Sequence, residues 1–287
     1  MSARIDVRRT HKLFIGGQFP RSESGRTYEV TDHAGQFLAN VAQASRKDAR
    51  DAVAAAYQAL PGWADRTAYN RGQILYRIAE VLEGRHDQLA AEVEAAEGGA
   101  AAAASRQVDL AVDRLVWYAG WADKLAQVVG GTNPVAGPYF NFSLPEPTGI
   151  VAAVAPQRSS LLGLVEVVAP VIAVGNVVVA LTSGARPSPA ISLAEVMAAS
   201  DVPGGVVNLL TGSAAEVAPW LASHMDVNAL DLTGVEDSTL ATDLEAAAAE
   251  NLKRVRRPSA DPLDQTPGLG RMTWVLETKT VWHPMGI

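Results

Sequence analysis

The second half of this 287-residue chain alternates short aliphatic runs with segments of helix length, and this alternation limits the folds open to it. The runs are rich in valine, leucine and alanine, a composition typical of buried strands. They are Val151–Val154, Val177–Leu181, Val206–Leu209 and Ala229–Leu232. Strands that alternate with helices form βαβ units, and their strands are parallel. The sequence therefore predicts an α/β fold with a doubly wound, parallel, Rossmann-like sheet.

The first half predicts a small β element followed by a layer of helices. Lys12–Ile15 and Arg26–Val30 are β-like runs bounded by glycine turns, the pattern of a meander or hairpin. Ser45 begins a capping box, and we expect its helix to end at Pro61-Gly62. Apolar periodicity predicts further helices at Ala68–Leu82, His86–Ala96 and Ala102–Val128. We expect these helices to form an N-terminal layer that packs against the sheet.

The apolar run Leu161–Leu181 is long enough to span a bilayer, but its interior contradicts a membrane helix. Glu166, Pro170 and the pair Gly175-Asn176 would charge or break such a helix. A buried helix, a turn and a buried strand explain the run better. We place Glu166 on the exposed edge of that helix; the alternative is a buried candidate carboxyl with a raised pKa.

The charge of the chain excludes some classes of partner. A formal net charge of −7 and a pI near 5.3 argue against nucleic acids and anionic membranes. We interpret the basic cluster Lys253–Arg257 as a solvated or partner-facing segment, because no aromatic residues are interleaved with it. The histidines are widely spaced and cysteine is absent, so no metal site is expected. The first residues lack the apolar run of a signal peptide, and we expect a cytoplasmic location.

Several phrases of the sequence occur in the order and spacing of a known family. The early ones are Phe14-Ile15-Gly16-Gly17, Ser24–Val30, Trp63-Ala64 and Ile74–Ala79. The later ones are Glu146–Val151, Gly175–Val179, Pro203–Asn208 and Leu232-Thr233-Gly234. In these phrases the chain resembles the NAD(P)-dependent aldehyde dehydrogenase superfamily, from about Lys12 to Val255 and again over the final dozen residues. The resemblance implies the dinucleotide-binding domain of that family.

The same resemblance shows which functional groups are missing. The family's nucleophile is a cysteine thiolate, whereas this chain has no cysteine, and a hydroxyl is a much weaker nucleophile at neutral pH. Arg158 stands at the position of the oxyanion-binding asparagine, and Pro258 at that of the general-base glutamate. Leu181 and Gly184 replace the lysine and glutamate that hold the ribose hydroxyls. We therefore assign no catalytic residue and do not expect the family's activity.

A vestige of the cofactor crevice is expected where the strands end. Its residues are Val154, Ser183, Gly212, Thr233 and Gly234. Glycine and threonine at strand ends are equally well explained as turn residues kept for backbone geometry. We expect no cofactor, with NAD(P) as the alternative if the crevice is still open. Arg158, helped by Ser159 and Ser160, could bind an anion near a helix N-terminus, but we favour an exposed arginine with no such role.

The resemblance also divides the chain into parts with different expected roles. Residues 1–132 and 149–257 are expected to form a degenerate dinucleotide-binding domain, and 133–148 an oligomerisation hairpin. Residues 258–271 are a Pro-rich connector in place of the catalytic domain, and 272–287, with the β-like run Met272–Trp282, are a C-terminal oligomerisation strand. The residues expected at the subunit contact are Phe140, Phe142, Leu144, Thr278, Thr280, Val281 and Trp282.

Because these oligomerisation elements are kept while the catalytic groups are absent, the sequence favours a non-catalytic subunit. Its expected partner is a full-length aldehyde dehydrogenase or a second copy of itself. One alternative is an NAD(P)-dependent oxidoreductase that acts on aldehydes with a reorganised or shared active site. Another is a nucleotide-sensing regulator that binds without turnover.

Overall fold

A computed structural model of the chain describes residues 8–258, 263 and 265–286. Its centre is a five-stranded parallel sheet between helices, which confirms the predicted fold class. The elements before this sheet are β1 (Thr10–His11), β2 (Thr27–Thr31), β3 (Phe37–Ala42), α1 (Arg46–Ala64), α2 (Ala68–Glu83), α3 (His86–Glu97), α4 (Ala101–Ala122), α5 (Leu125–Val129), β4 (Gly131–Asn133) and β5 (Tyr139–Pro147).

The N-terminal β element differs from the expected hairpin. Strand β2 pairs antiparallel with β3, and β1 pairs parallel with β3. The run Lys12–Ile15 forms no regular strand. Phe14 instead exchanges backbone hydrogen bonds of 2.7 and 3.0 Å with Leu209, because its side chain is buried against the central sheet. The N-terminal sheet is thereby attached to the central sheet.

Helix α1 begins as predicted but ends later than predicted. Ser45 accepts hydrogen bonds from the amides of Lys47 and Asp48, and the Asp48 carboxylate accepts one from the amide of Ser45. The helix then continues through Pro61 to Ala64. Pro61 lies on the exposed face of α1, so water can satisfy the carbonyl group that loses its helical donor there.

The long helix expected at Ala102–Val128 is divided into α4 and α5. The break lies at Asp123-Lys124, where the Lys124 ammonium donates to the carbonyl oxygen of Gly120 at 2.6 Å and terminates α4. Cations at a helix C-terminus are favourable because they interact with the free carbonyl groups.

The central sheet has the strand order β10-β9-β6-β7-β8, with all neighbours parallel. Its elements are β6 (Ile150–Val154), α6 (Leu162–Ala173), β7 (Val177–Leu181), α7 (Ser188–Ala198), β8 (Val207–Leu210), α8 (Ala214–Ala222), β9 (Ala229–Asp231), α9 (Ser238–Ala249) and β10 (Arg254–Arg256). The apolar run that could have suggested a membrane span is therefore α6 followed by β7. No helix in the described part of the chain is long and apolar enough to cross a membrane.

The basic cluster at Lys253–Arg257, expected to be a solvated or partner-facing segment, is partly solvated: Arg254 and Arg257 are exposed, whereas Lys253 is buried. Three of its residues form the edge strand β10, which sequence patterns missed because Arg-Val-Arg does not resemble a buried strand. Lys253 is buried, Arg254 makes a bidentate ion pair with Glu277, and Arg257 pairs with Glu245. The cluster thus joins the edge of the sheet to its neighbours.

The C-terminal strand β11 (Leu276–Pro284) follows a single helical turn, α10 (Gly270–Thr273). It begins at Leu276 rather than at Met272, because Met272 and Val275 are buried in the core. Strand β11 pairs antiparallel with β5 over its whole length, from Leu276 opposite Pro147 to Pro284 opposite Tyr139. With β4 on the other side of β5, these strands form a separate sheet of order β11-β5-β4, here called the ribbon sheet. Of the Pro-rich connector, residues 259–262 and 264 lie outside the described residues.

Candidate functional site

The carboxyl edge of the central sheet is the place where a ligand is expected. The chain runs from β6 outward to β7 and β8, then returns to the other side of β6 to form β9 and β10. In such sheets the ligand crevice lies outside the carboxyl ends of the strands, at the point where the strand order reverses. Here that point lies between the ends of β6 and β9.

The predicted crevice residues gather into two groups at this edge. Val154 at the end of β6 is buried, and its carbonyl oxygen accepts a 2.9 Å hydrogen bond from the amide of Gly234. Gly234 packs so closely that an added Cβ would overlap the carbonyl oxygen of Ala155. Thr233 donates its amide to the Asp231 carboxylate at 2.9 Å. The ends of β6 and β9 are therefore in direct backbone contact.

The second group lies at the ends of β7 and β8. Ser183 is buried, and its hydroxyl donates to the carbonyl oxygen of Gln157 at 2.8 Å. Gly212 has φ +123°, a conformation that L side chains rarely adopt. Its carbonyl oxygen would be 2.9 Å from a Cβ placed on Gly184, so these two loops also touch through their backbones. Glycine at 212 is required for backbone geometry.

Gln157 connects the two groups across the mouth of the crevice. Its side-chain nitrogen donates to the carbonyl oxygen of Ala155 at 2.7 Å, and its side-chain oxygen accepts from the amide of Gly184 at 3.0 Å. Backbone groups that a ligand could have used at the ends of β6 and β7 are thus already paired within the chain.

The turn before α6 is filled in a similar way. The amide and the hydroxyl of Ser160 both donate to one carboxylate oxygen of Glu97, at 2.7 and 2.6 Å. A carboxylate of the chain itself therefore occupies the position where an anion was considered. Arg158 has an 86% exposed side chain and pairs with Glu236 at 3.1 Å.

Comparison with known proteins agrees with this architecture. The sequence profile described as the aldehyde dehydrogenase family matches residues 19–257. The chain belongs to the aldehyde dehydrogenase family. It is 35% identical over 247 residues to an aldehyde dehydrogenase of Davidiella tassiana, an alignment that covers 85% of this chain and 49% of that protein. It is 34% identical over 249 residues to the mitochondrial benzaldehyde dehydrogenase of Antirrhinum majus, covering 85% and 46%.

Solved structures of the family show the same fold. The NAD⁺ complex of the Bacillus cereus aldehyde dehydrogenase superposes with a TM-score of 0.81 at 27% identity, covering 86% of this chain and 50% of that one. The chain thus spans about half the length of the relatives that it matches.

The residues of this chain do not fit a bound NAD(P). At the end of β7, Leu181 is fully buried in the core and offers no polar group to a ribose. At Gly184 a glutamate could not be accommodated as the chain stands, because its Cβ would press on the backbone of Gly212. The Gln157 side chain, hydrogen-bonded to Ala155 and Gly184, lies between these positions and the switch point. We therefore derive no chemistry that passes through this cofactor.

Glu166 is not on an exposed edge, as its sequence context suggested, but is 4% exposed. Its carboxylate pairs with Arg114 and with Arg271, the latter at 3.4 Å, and accepts a 3.0 Å hydrogen bond from the hydroxyl of Tyr118. Burial and the neighbouring carboxylate raise the pKa of Tyr118, so its hydroxyl remains a donor. We call these four residues the Glu166 cluster. Arg114 and Tyr118, one turn apart on α4, were the signal that sequence reasoning missed.

The Glu166 cluster also holds the connector in place. The Arg114 guanidinium donates to the carbonyl oxygen of Leu263 at 2.8 Å and to that of Gln265. Arg271 belongs to α10, the turn before β11. A network buried beside α6 therefore attaches both the described part of the connector and the start of the C-terminal strand to α4 and α6.

Asp231 is a second buried carboxyl that sequence reasoning did not single out. It lies at the end of β9 and is 1% exposed. Burial raises the pKa of this carboxyl, and the hydrogen bonds from Thr233 act in the opposite direction. Both donors belong to the following turn, so the carboxylate fixes the backbone that leads to Gly234. In the described part of the chain, no group of acidic or histidine residues could hold a metal ion.

The residues predicted for oligomerisation divide between the two faces of the ribbon sheet. Cross-strand partners share a face, so the register pairs Val281 with Phe142 on one side and Trp282 with Asn141 on the other. The first face carries the apolar residues Phe140, Phe142, Leu144 and Val281, together with Glu146, Glu277, Lys279 and His283. The second face carries Thr278, Thr280 and Trp282, with Asn133, Asn141 and Ser143 joined by side-chain hydrogen bonds.

Proposed function

We propose that this chain is a non-catalytic, cytoplasmic member of the aldehyde dehydrogenase family that acts through assembly. Its partner is a full-length aldehyde dehydrogenase or a second copy of the chain. The observation that carries the proposal is the ribbon sheet, which exposes a group of apolar side chains on one face and, within the described residues, has an unpaired edge. The absence of cysteine and the proline at position 258 support the non-catalytic part, because the family's chemistry needs a thiolate and a base.

A group of apolar side chains on one face of the ribbon sheet is suited to burial against another protein. Phe140 is 46% exposed and Leu144 is 43% exposed, with Phe142 and Val281 half-buried between them. The rings of Phe140 and Phe142 lie 5.5 Å apart and form one surface. A contiguous apolar patch of aromatic residues is typical of a protein–protein contact.

The free edge of the same sheet adds a second type of contact. Strand β11 is nine residues long and lies at the edge of the ribbon sheet, so among the residues that the structure describes only one of its sides is paired. Unpaired backbone groups on an edge strand are a template for a strand from another chain. The charged side chains of β11 do not oppose this, because Glu277 pairs with Arg254 and Lys279 pairs with Glu146.

The first test replaces Phe140 by glutamate and measures assembly. The wild-type chain is expected to form a complex, either alone or with a full-length aldehyde dehydrogenase from the same organism, when native mass is determined over a range of concentrations. A charge at an apolar contact must be buried unpaired, so Phe140→Glu should weaken the complex by at least ~10-fold.

Tyr57→Glu is the matched control for this test. Tyr57 is an aromatic residue of α1 that is 60% exposed and lies outside the ribbon sheet. This variant should assemble like the wild type. A wild-type chain that stays monomeric in both settings would refute the proposal, and equal weakening by both variants would show that the ribbon sheet is not the contact.

A separate measurement tests the alternative of an NAD(P)-dependent oxidoreductase. Hydrogen bonds of the Gln157 side chain join the ends of β6 and β7, and these ends lack ribose-binding side chains. We therefore expect no binding of NAD⁺, NADH, NADP⁺ or NADPH at millimolar concentration. Calorimetry on the chain alone, with a full-length family member as positive control, makes this measurement. Saturable binding would favour the oxidoreductase or the nucleotide-sensing regulator instead.

A further inference from the structure

A cavity of about 530 Å³ lies between the start of α1 and the end of α8. We call it the Trp220 cavity. It is lined by Arg46, Lys47, Arg50, Trp220, Ser223 and His224. None of these residues belongs to the predicted cofactor crevice or to the ribbon sheet. In a chain of net charge −7, a cavity lined by three cationic side chains and a tryptophan is an unusual concentration of positive charge.

Arg46 is positioned by its stacking on the indole ring. Its guanidinium carbon lies 4.1 Å from the centre of the Trp220 ring, and Trp220 is 41% exposed. Within the described residues no carboxylate pairs with Arg46. A guanidinium that stacks on a ring through its face keeps its N–H donors in the plane, where they can bind an oxyanion in a two-pronged manner.

In the part of the chain that the structure describes, the other two cations form exposed ion pairs. Lys47 pairs with Glu23 at 3.1 Å and Arg50 pairs with Asp51 at 2.8 Å, and both cationic side chains are more than 60% exposed, at 62% and 64%. Exposed pairs contribute little to stability, so an anion in the cavity can compete for these cations at small cost.

His224 adds a further donor to the cavity wall. Its Nδ1 accepts a 3.2 Å hydrogen bond from the amide of Asp226, which leaves Nε2 as the nitrogen that bears the proton in the neutral ring. The Ser223 hydroxyl already donates to the carbonyl oxygen of Pro219 at 2.9 Å. The donors that remain for a ligand are thus cationic or neutral N–H groups.

From this arrangement we infer that the Trp220 cavity binds the phosphate group of a soluble phosphomonoester. Three cationic side chains favour a dianion over the single charge of a carboxylate. Arg46 is the main ligand, Trp220 positions it, and Lys47, Arg50 and His224 complete the cation-rich wall. The inference is independent of the assembly proposed above, since it uses other residues of the chain.

The probe for this site is inorganic phosphate, titrated into the intact chain by calorimetry at constant ionic strength. Wild-type protein should bind phosphate saturably and acetate more weakly. Arg46→Gln should weaken phosphate binding about 10-fold, because it removes a charge-assisted hydrogen bond. Trp220→Leu should weaken it about threefold, because it removes only the stacking that positions Arg46.

Arg77→Gln is the control variant. Arg77 is an exposed arginine of α2 paired with Glu80, and it does not line the Trp220 cavity. This variant should bind phosphate like the wild type, and circular dichroism should show that all variants are folded. Equal affinity of Arg46→Gln and wild type, no phosphate binding up to ~20 mM, or equal affinity for acetate would each overturn the inference. Binding to phosphatidic acid vesicles without binding of inorganic phosphate would overturn it too.

Discussion

Replacement of Glu166 by glutamine is expected to lower the free energy of unfolding by about 3 kcal/mol, since removal of one partner of a buried ion pair leaves a charge uncompensated. The side chains of Glu166 and Arg114 are each 5% exposed, and that of Arg271 is 13% exposed. Glutamine keeps an acceptor for the hydroxyl of Tyr118 but removes the negative charge that two guanidinium groups share. The effect is therefore electrostatic rather than a loss of packing. Chemical denaturation monitored by circular dichroism measures it.

Glu80→Gln supplies the comparison for this variant. Glu80 makes an ion pair with Arg77 on α2, with a side chain that is 49% exposed. Because water solvates both charges there, the same substitution should change stability by no more than about 0.5 kcal/mol. A Glu166→Gln protein as stable as Glu80→Gln would show that water or a rearrangement compensates the two arginines.

The Glu166 cluster also predicts where the Glu166→Gln protein loosens first. Arg114 and Arg271 attach the connector and α10 to α6, so loss of the shared carboxylate should weaken that attachment. Amide hydrogen exchange around α10 should therefore increase more than exchange in β7, which lies in the middle of the buried sheet.

Gly234→Ala is the second variant with a large expected effect. A Cβ at this position would overlap the backbone oxygen of Ala155, and backbone cannot rotate away as a flexible side chain can. The turn after β9 would have to move, which would break the 2.9 Å hydrogen bond from the Gly234 amide to the Val154 carbonyl. We expect a loss of about 3 kcal/mol or more in the free energy of unfolding, measured by thermal and urea denaturation.

The same substitution at Gly62 is the matched control, with the opposite expected sign. Gly62 lies in α1, and a Cβ there would meet no atom within 4 Å. Alanine is a better helix former than glycine, so Gly62→Ala should raise stability by about 0.5 kcal/mol. If Gly234→Ala did not lower the free energy of unfolding, β6 would not pack as closely against the turn after β9 as the structure indicates.

Local patterns predicted most of the elements correctly because their signals lie within a few residues. The strand Val177–Leu181 was predicted to the residue, and the Ser45 capping box starts α1 as expected. Errors occurred where a distant contact outweighs the local signal. Phe14 pairs with Leu209 instead of with its neighbours, and β10 forms because its backbone continues the sheet beside β9.

The sequence predicted where the candidate site lies, but not whether that site is open to a ligand. The resemblance placed Val154, Ser183, Gly212, Thr233 and Gly234, and the structure brings all of them to the carboxyl edge of one sheet. Whether that edge is open depends on the rotamer of Gln157 and on the backbone approach of Gly184 to Gly212. Neither the rotamer of Gln157 nor the approach of these two backbones can be predicted from a periodic pattern or a motif in the sequence.

The sequence by itself determined the family, the order of the βα units and the absence of a thiol nucleophile, because each of these is a property of residue order or composition. Only the tertiary structure decided the environment of individual groups. Glu166 is an acid in an apolar run, and its burial follows from two arginines that reach it from α4 and α10. The placement of Phe140, Phe142, Leu144 and Val281 on one face of the ribbon sheet likewise follows from the register of β11 on β5. Burial and register depend on residues far apart in the chain, so they exist only once the chain is folded.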